Sequence, residues 1–155
     1  MHPGNIIWGI DNDGDVKQEL EAIIDWQTMH EGSPMEDLAR FLAYCADGVV
    51  RRQSEAIAFD YYIECLTKEF EGDSSKVPYT SEQLKKSYNL YFVSQAFFTI
   101  FDFQFFFSAL EGKISSPTIK DAYHDYGVLK SLHCIEDADK ILQSTEFRHF
   151  YDKYG

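Results

Sequence analysis

Apolar and polar positions alternate differently in two parts of the chain. Asn5-Ile6-Ile7-Trp8-Gly9-Ile10 is a short β-prone run, and Val16 to Asp25 is a second that ends in the apolar Ala22-Ile23-Ile24. Between them Asp11-Asn12-Asp13-Gly14-Asp15 has turn chemistry centred on Asp13-Gly14, so the segment predicts a β-hairpin. Asp25 to Pro34 lacks periodicity and holds Gly32 and Pro34. It reads as a loop in which Ser33 caps the next helix and Pro34 takes its first position.

After Pro34 the spacing turns helical. Leu38, Phe41, Leu42 and Cys45 recur at i, i+3, i+4, i+7, and Asp47-Gly48 is expected to end that helix. A second helix is expected from about Val49 to Phe70, with Ile57, Tyr61, Tyr62, Cys65 and Leu66 on one side. Residues 72–79 form a polar linker, and Thr80 with Gln83 three residues on has the capping-box pattern that opens a long aromatic helix to about Leu110. A break at 112–117 precedes a fourth helix over roughly 118–143, and 144–154 is a short terminal one. No repeat or low-complexity tract is present. The expected class is α+β and mainly α, one domain over 1–155: a hairpin and loop (1–34) lying on a bundle of about five helices (35–155), with its apolar side buried against them.

Composition narrows the partners. Fourteen Lys and Arg stand against 26 Asp and Glu, a formal net charge of -12, whereas nucleic-acid binders need a basic footprint. No nucleic-acid partner is expected. Such a charge also repels ATP unless metal ions or basic residues screen it. Cys45, Cys65 and Cys134 are far apart, make no CxxC pair and leave one thiol over, which suits a reduced compartment. The first residues carry no leader pattern, so a cytoplasmic location is expected. The apolar stretch from Tyr91 to Leu110 is interrupted by Ser94, Gln95, Asp102 and Gln104. It reads as a buried core helix, and no membrane partner is expected.

The chemistry lies between Asn5 and Arg40. Asn5 opens the first strand and Asp25 closes the second, so a hairpin brings both side chains to one end. An amide oxygen beside a carboxylate is a hard-oxygen pair suited to Mg²⁺, which completes its octahedron with water and nucleotide phosphates. The same two residue types are also ordinary turn formers at strand ends.

Further residues accompany them. Asn5-Ile6-Ile7-Trp8, Ala22-Ile23-Ile24-Asp25-Trp26-Gln27, His30-Glu31-Gly32-Ser33-Pro34 and Asp37-Leu38-Ala39-Arg40 together resemble the CHK kinase-like family, within the aminoglycoside phosphotransferase and choline kinase superfamily. The likeness runs more loosely through Arg51-Arg52 and Pro78-Tyr79-Thr80 to about Phe98, and later residues match only in helical character. It implies the C-lobe of the protein kinase-like fold. It further implies Asn5 and Asp25 as the two metal and cofactor ligands, for Mg²⁺ with ATP, and Asp37 as the carboxylate that organises the catalytic loop. The family's catalytic Asp stands five residues before its metal-binding Asn, which here falls ahead of Met1. His2-Pro3-Gly4 does not align as a substitute, so no catalytic residue is expected in the chain itself.

Blander roles compete at several positions. Asp37 also suits an exposed first-turn helix acid. His30, in a Gly/Pro-bounded loop, is expected to fix that loop rather than move protons. Arg40 and Arg51-Arg52 are candidates for phosphate, though an i, i+3 pair of Arg40 with Asp37 is the plainer role. His124, His133 and His149 have no zinc-ligand spacing. In the aromatic helix, Tyr88, Tyr91, Phe97 and Phe101 would line an acceptor groove by resemblance and pack the core by composition.

The resemblance therefore implies the C-terminal part of an ATP-dependent kinase acting on a small hydroxyl-bearing acceptor. As this chain alone it would bind metal weakly and be catalytically silent, because phosphoryl transfer also needs a phosphate loop and a lysine from an N-lobe. Two other readings stay open: a non-catalytic interaction module, expected to show a large apolar patch, and an enzyme completed by a separate N-lobe chain.

Overall fold

Strands β1 (Ile6–Ile10) and β2 (Val16–Ile23) pair antiparallel in the register Ile6 to Ile23, Ile7 to Ala22, Trp8 to Leu20 and Ile10 to Val16. This is seen in a computed structural model that describes residues 3–27, 29–109, 112–113 and 116–154. The register shifts on either side of Trp8, as bulged pairing does. The turn is built as its composition implies. Asp11 Oδ1 accepts from the backbone N–H groups of Asp13 and Asp15, both at 2.9 Å, and Gly14 takes φ 90°. A 3-10 turn, Pro3–Asn5, leads into β1 and packs against the first helix.

Among the described residues five α-helices follow: α1 (Met35–Cys45), α2 (Gly48–Glu69), α3 (Ser81–Ala109), α4 (Pro117–Gln143) and α5 (Arg148–Tyr154). The α+β, mainly helical class read from the periodicity is the observed one. His2 and Leu110, named above, lie outside the described residues. Ser33 caps α1, its Oγ accepting from Met35 N at 3.2 Å, and Pro34 already has helical dihedrals. Thr80 and Gln83 exchange both capping-box bonds, 2.9 Å and 3.2 Å. Ser116 and Pro117 open α4 in the same manner.

Asp47-Gly48 does not simply end α1. Asp47 is the N-cap of α2, its Oδ1 accepting from Val49 N at 2.7 Å and Val50 N at 3.0 Å, and those bonds hold its carboxyl below the usual range. Gly48 follows as the first helical residue, and the His133 ring lies 2.6 Å from where a Cβ would stand, so a side chain there would have to displace it.

Helix α3 is the axis of the core, with α1 and α4 packed on it. Its Leu84, Tyr88, Phe92, Ala96 and Thr99 follow one another at helical spacing and are buried with Met35, Ala39 and Ala43 of α1 and Cys134 and Ala138 of α4. The expectation of a core helix therefore holds for its first half and fails for its second. Phe97, Phe98, Phe101, Phe105 and Phe106 are exposed, because α1 and α4 cover only part of a helix that is apolar all round. By length and composition alone α3 is also long and apolar enough to cross a membrane. The hairpin departs in the same direction. Ile7, Trp8, Ile10, Val16 and Leu20 remain exposed, since the hairpin is anchored at its base by the Pro3–Asn5 turn and not along its face.

Arg51 is not a phosphate ligand. Its side chain is 1% exposed, its guanidinium lies 4.4 Å from the Phe92 ring centroid, and it bonds Glu55 at 2.7 Å and Asp137 of α4. Arg52 reaches the same Asp137 oxygen at 2.7 Å, and the Tyr88 hydroxyl donates to Glu55 at 2.6 Å. The two arginines thus join α2 to α4 with every charge opposed.

Candidate functional site: the Asn5–Asp25 cleft

The hairpin's open end is closed by a backbone bond, Ile24 N to Asn5 O at 2.9 Å. That bond sets Asn5 beside Asp25, and Asn5 Nδ2 donates to Asp25 Oδ2 at 3.3 Å across twenty positions. The strand pairing brings together the two residues that the sequence pattern singles out.

Asp25 has φ 65°, a left-handed conformation that a non-glycine residue adopts at a cost and that Asp and Asn tolerate best. It turns the chain out of β2 into the loop. There Trp26 Nε1 donates to Ile23 O at 2.9 Å and Met29 N to Trp26 O at 3.0 Å. Local strain of this kind collects at sites where a side chain must be aimed.

A cleft of about 600 Å³ lies here, lined by Asn5, Asp25, His30, Asp37, Arg40 and Tyr79 among others. His30 Nε2 lies 3.4 Å from Glu36 Oε2 in the first turn of α1, so the imidazole meets a carboxylate between loop and helix. Ser33, the α1 cap, also meets the Ser87 hydroxyl at 2.6 Å, which fastens the loop to α3. Asp37 is exposed in the first turn of α1, where the helix dipole favours a carboxylate, and it faces the same cleft. Arg40, whose guanidinium lies 5.8 Å from the Tyr44 ring centroid, places a positive charge among the acids of the cleft.

The donor set fits a hard cation shared with a ligand. Asn5 and Asp25 offer two oxygen-bearing side chains within hydrogen-bond reach of each other, and among the described residues no cluster of three or more His, Cys, Asp or Glu forms a self-sufficient metal site. Mg²⁺ held by one or two protein oxygens takes the rest of its shell from water and phosphate. Binding would turn the Asn5 amide so that its oxygen, not its N–H, faces the ion.

A second cavity, about 380 Å³ and largely apolar, lies between α3 and α4. It is built from one face of each helix, Thr99, Asp102, Phe103, Phe106 and Phe107 against Tyr123, Tyr126, Gly127 and Lys130, with Tyr44 of α1 completing the wall. The pattern reading missed it, although the i, i+3, i+4, i+7 set on α4 was its signal. Of the proposed groove residues Tyr88 is core, and Phe97 and Phe101 are exposed; none of them lines this cavity.

An α+β, mainly helical chain with an N-terminal two-stranded hairpin is the class that the fold defines. The chain belongs to the DUF1679 family, whose model carries the description "Uncharacterized oxidoreductase dhs-27" and matches residues 1–146. A protein of Caenorhabditis elegans, "Uncharacterized oxidoreductase dhs-27", is 31% identical over 94 residues, covering 59% of this chain and 12% of that protein. The chain thus spans a small fraction of the relative's length. No solved structure matches it.

Proposed function

We propose that the chain is the C-terminal, metal-holding lobe of a kinase-like phosphotransferase of the CHK type, which moves the terminal phosphoryl group of ATP to a hydroxyl of a small acceptor. The observation that carries this reading is the pairing of Asn5 with Asp25 at the mouth of the cleft. A divalent cation supplies charge neutralisation at the β- and γ-phosphates when bound. The chain's own residues do the rest. Asn5 and Asp25 orient the cation, Arg40 adds a positive charge on the cleft wall, and Asp37 and the His30–Glu36 pair hold the loop that presents them. A base, a phosphate-cradling loop and a lysine come, on this reading, from outside this chain, so the chain alone is silent in catalysis.

The word oxidoreductase in the relative's name is said of a protein most of which lies outside the matched stretch. Among this chain's nine glycines no two have the G-x-G spacing that opens a dinucleotide-binding fingerprint.

Mn²⁺ broadening of amide resonances, with and without ATP, tests the proposal. Broadening is expected to centre on Asn5 and Asp25, to strengthen with ATP, and to vanish in Asp25→Asn, which keeps the backbone but removes the charge. Broadening centred elsewhere, or unchanged by that substitution, would reject the assignment. ATP-dependent phosphorylation of hydroxyl acceptors by the 155-residue chain would refute its catalytic silence.

A second reading, a non-catalytic interaction module, is favoured by the exposed Trp8, Ile10, Val16, Leu20 and Trp26 of the hairpin and its following loop. It predicts no Mn²⁺ response at Asn5 and Asp25.

A further inference from the structure

The cavity between α3 and α4 contains an ammonium group without an acid. Lys130 is half-buried, and its Nζ donates to the Tyr44 carbonyl oxygen at 2.5 Å and stands 5.6 Å from the Tyr126 ring centroid. No carboxylate among the described residues pairs with it. Acids outnumber bases by 26 to 14, yet the lysines that do meet an acid, Lys68, Lys76, Lys86 and Lys140, are exposed ones. Asp102 lines the same cavity but makes no ion pair with Lys130; burial first, and then the Asp102 carboxylate, push the Tyr44 hydroxyl up. An ammonium has three donors; one is used here, and burial disfavours its charge.

An uncompensated cation among aromatic rings is costly, and the missing element is an anion. The space suits a small molecule, because about 380 Å³ falls within the range of ligand pockets and most of the lining is apolar. Gly127 brings α4 so close to Phe103 that the ring forms one wall of that space. With one ammonium to meet and Asp102 nearby, a singly charged head is favoured over a phosphate.

We propose that this cavity binds a small apolar monocarboxylate, its carboxylate held by Lys130 and its body lying among Phe103, Phe106 and Tyr126. The inference is independent of the kinase-like reading of the Asn5–Asp25 cleft.

Calorimetric titration of the 155-residue chain with 2-naphthoate, decanoate, 2-naphthalenemethanol and 2-naphthylmethylamine tests it. Saturable one-site binding is expected for a carboxylate, with the alcohol weaker by about tenfold or more, the equivalent of one charge-assisted bond, and the amine silent. The naphthoate and decanoate arms distinguish a flat ring system from an alkyl chain. Lys130→Met should weaken carboxylate binding by about tenfold or more, Lys130→Arg should retain it, and Lys68→Met should leave it unchanged. Equal affinity for the alcohol, binding of the amine, or full binding by Lys130→Met would overturn the proposal. If Lys130→Met does not fold, Lys130→Arg together with the alcohol and amine comparison still decides the matter. Amide shifts on carboxylate addition must map to α3 and α4; shifts confined to the Asn5–Asp25 cleft would also overturn it.

Discussion

Arg51 of α2 and Asp137 of α4 form an ion pair across 86 positions of sequence, with the arginine side chain 1% and the carboxylate side chain 13% exposed. Burial alone would raise the Asp137 carboxyl, but hydrogen bonds from Arg52, Lys140 and Arg51 outweigh it and hold the group well below the usual carboxylate range.

Removing Asp137 leaves a buried guanidinium with Glu55 as its remaining acid. Asp137→Ala should therefore lose about 3 kcal/mol in urea unfolding, the low end for breaking a buried pair. The pH dependence has a defined sign. The folded-state carboxyl is more acidic than the unfolded one, so its stabilisation is complete above the unfolded value of about 3.9 and is lost as pH falls below it. Between pH 6 and pH 3 the wild-type urea midpoint should fall more steeply than that of Asp137→Asn. Parallel falls would show that the pair is not coupled to folding.

Asp25 and Asp37 line one cleft and should respond differently to substitution. Asp25→Ala places a Cβ residue without a polar side chain at φ 65°, which should cost about 1 kcal/mol. Asp25→Gly removes that strain but loosens the unfolded chain, and should fall within about 0.5 kcal/mol of wild type. Asp37 stands in the first turn of α1, so Asp37→Asn should lose at least the dipole contribution of about 0.3–1 kcal/mol. Guanidinium melts in EDTA measure all three, and a larger loss for Asp25→Gly than for Asp25→Ala would contradict the left-handed backbone.

Gly127 has no room for a methyl group, because Phe103 occupies the space. Helix propensity favours alanine by about 1 kcal/mol, whereas overpacking costs about 1–3 kcal/mol. A net loss of about 1 kcal/mol is expected for Gly127→Ala, with Phe103 displaced into the cavity. A net gain in thermal stability would mean that the ring yields freely.

Cys45 has its thiol pushed up from 9.0 to about 11 by burial, only partly offset by Lys130. Its thiolate fraction at pH 8 should be lower by about a hundredfold, while the greater nucleophilicity of a more basic thiolate recovers roughly tenfold. Iodoacetamide should thus modify native Cys45 about ten times more slowly than a free cysteine. Mass mapping after timed alkylation reads the rate, and labelling as fast as that of free cysteine would show that the thiol is not shielded.

Local signals in the sequence carried far. Asp13-Gly14, Ser33-Pro34 and Thr80-Gln83 each have a short-range mechanism, and each closes the turn or caps the helix its residues imply. The Asn5–Asp25 meeting was legible too, because hairpin pairing converts sequence separation into position. Long-range burial was not. Arg51 reads as a phosphate candidate until α4 supplies Asp137, and Phe101 reads as core until its helix is seen to outrun its neighbours. That Lys130 meets a carbonyl oxygen and an aromatic ring was equally hidden, since it depends on how three helices come together around one side chain.

The two bulged strands make a sheet with no interior member, so each strand presents one open edge to solvent. An unguarded edge is a template for addition of another chain, and the exposed Trp8 and Leu20 would favour such stacking. Lys17, Glu19 and Glu21 stand along β2 as the charges that discourage it. Protection of that edge therefore rests on three side chains of one strand, far from any residue of the cleft in function though close to it in sequence.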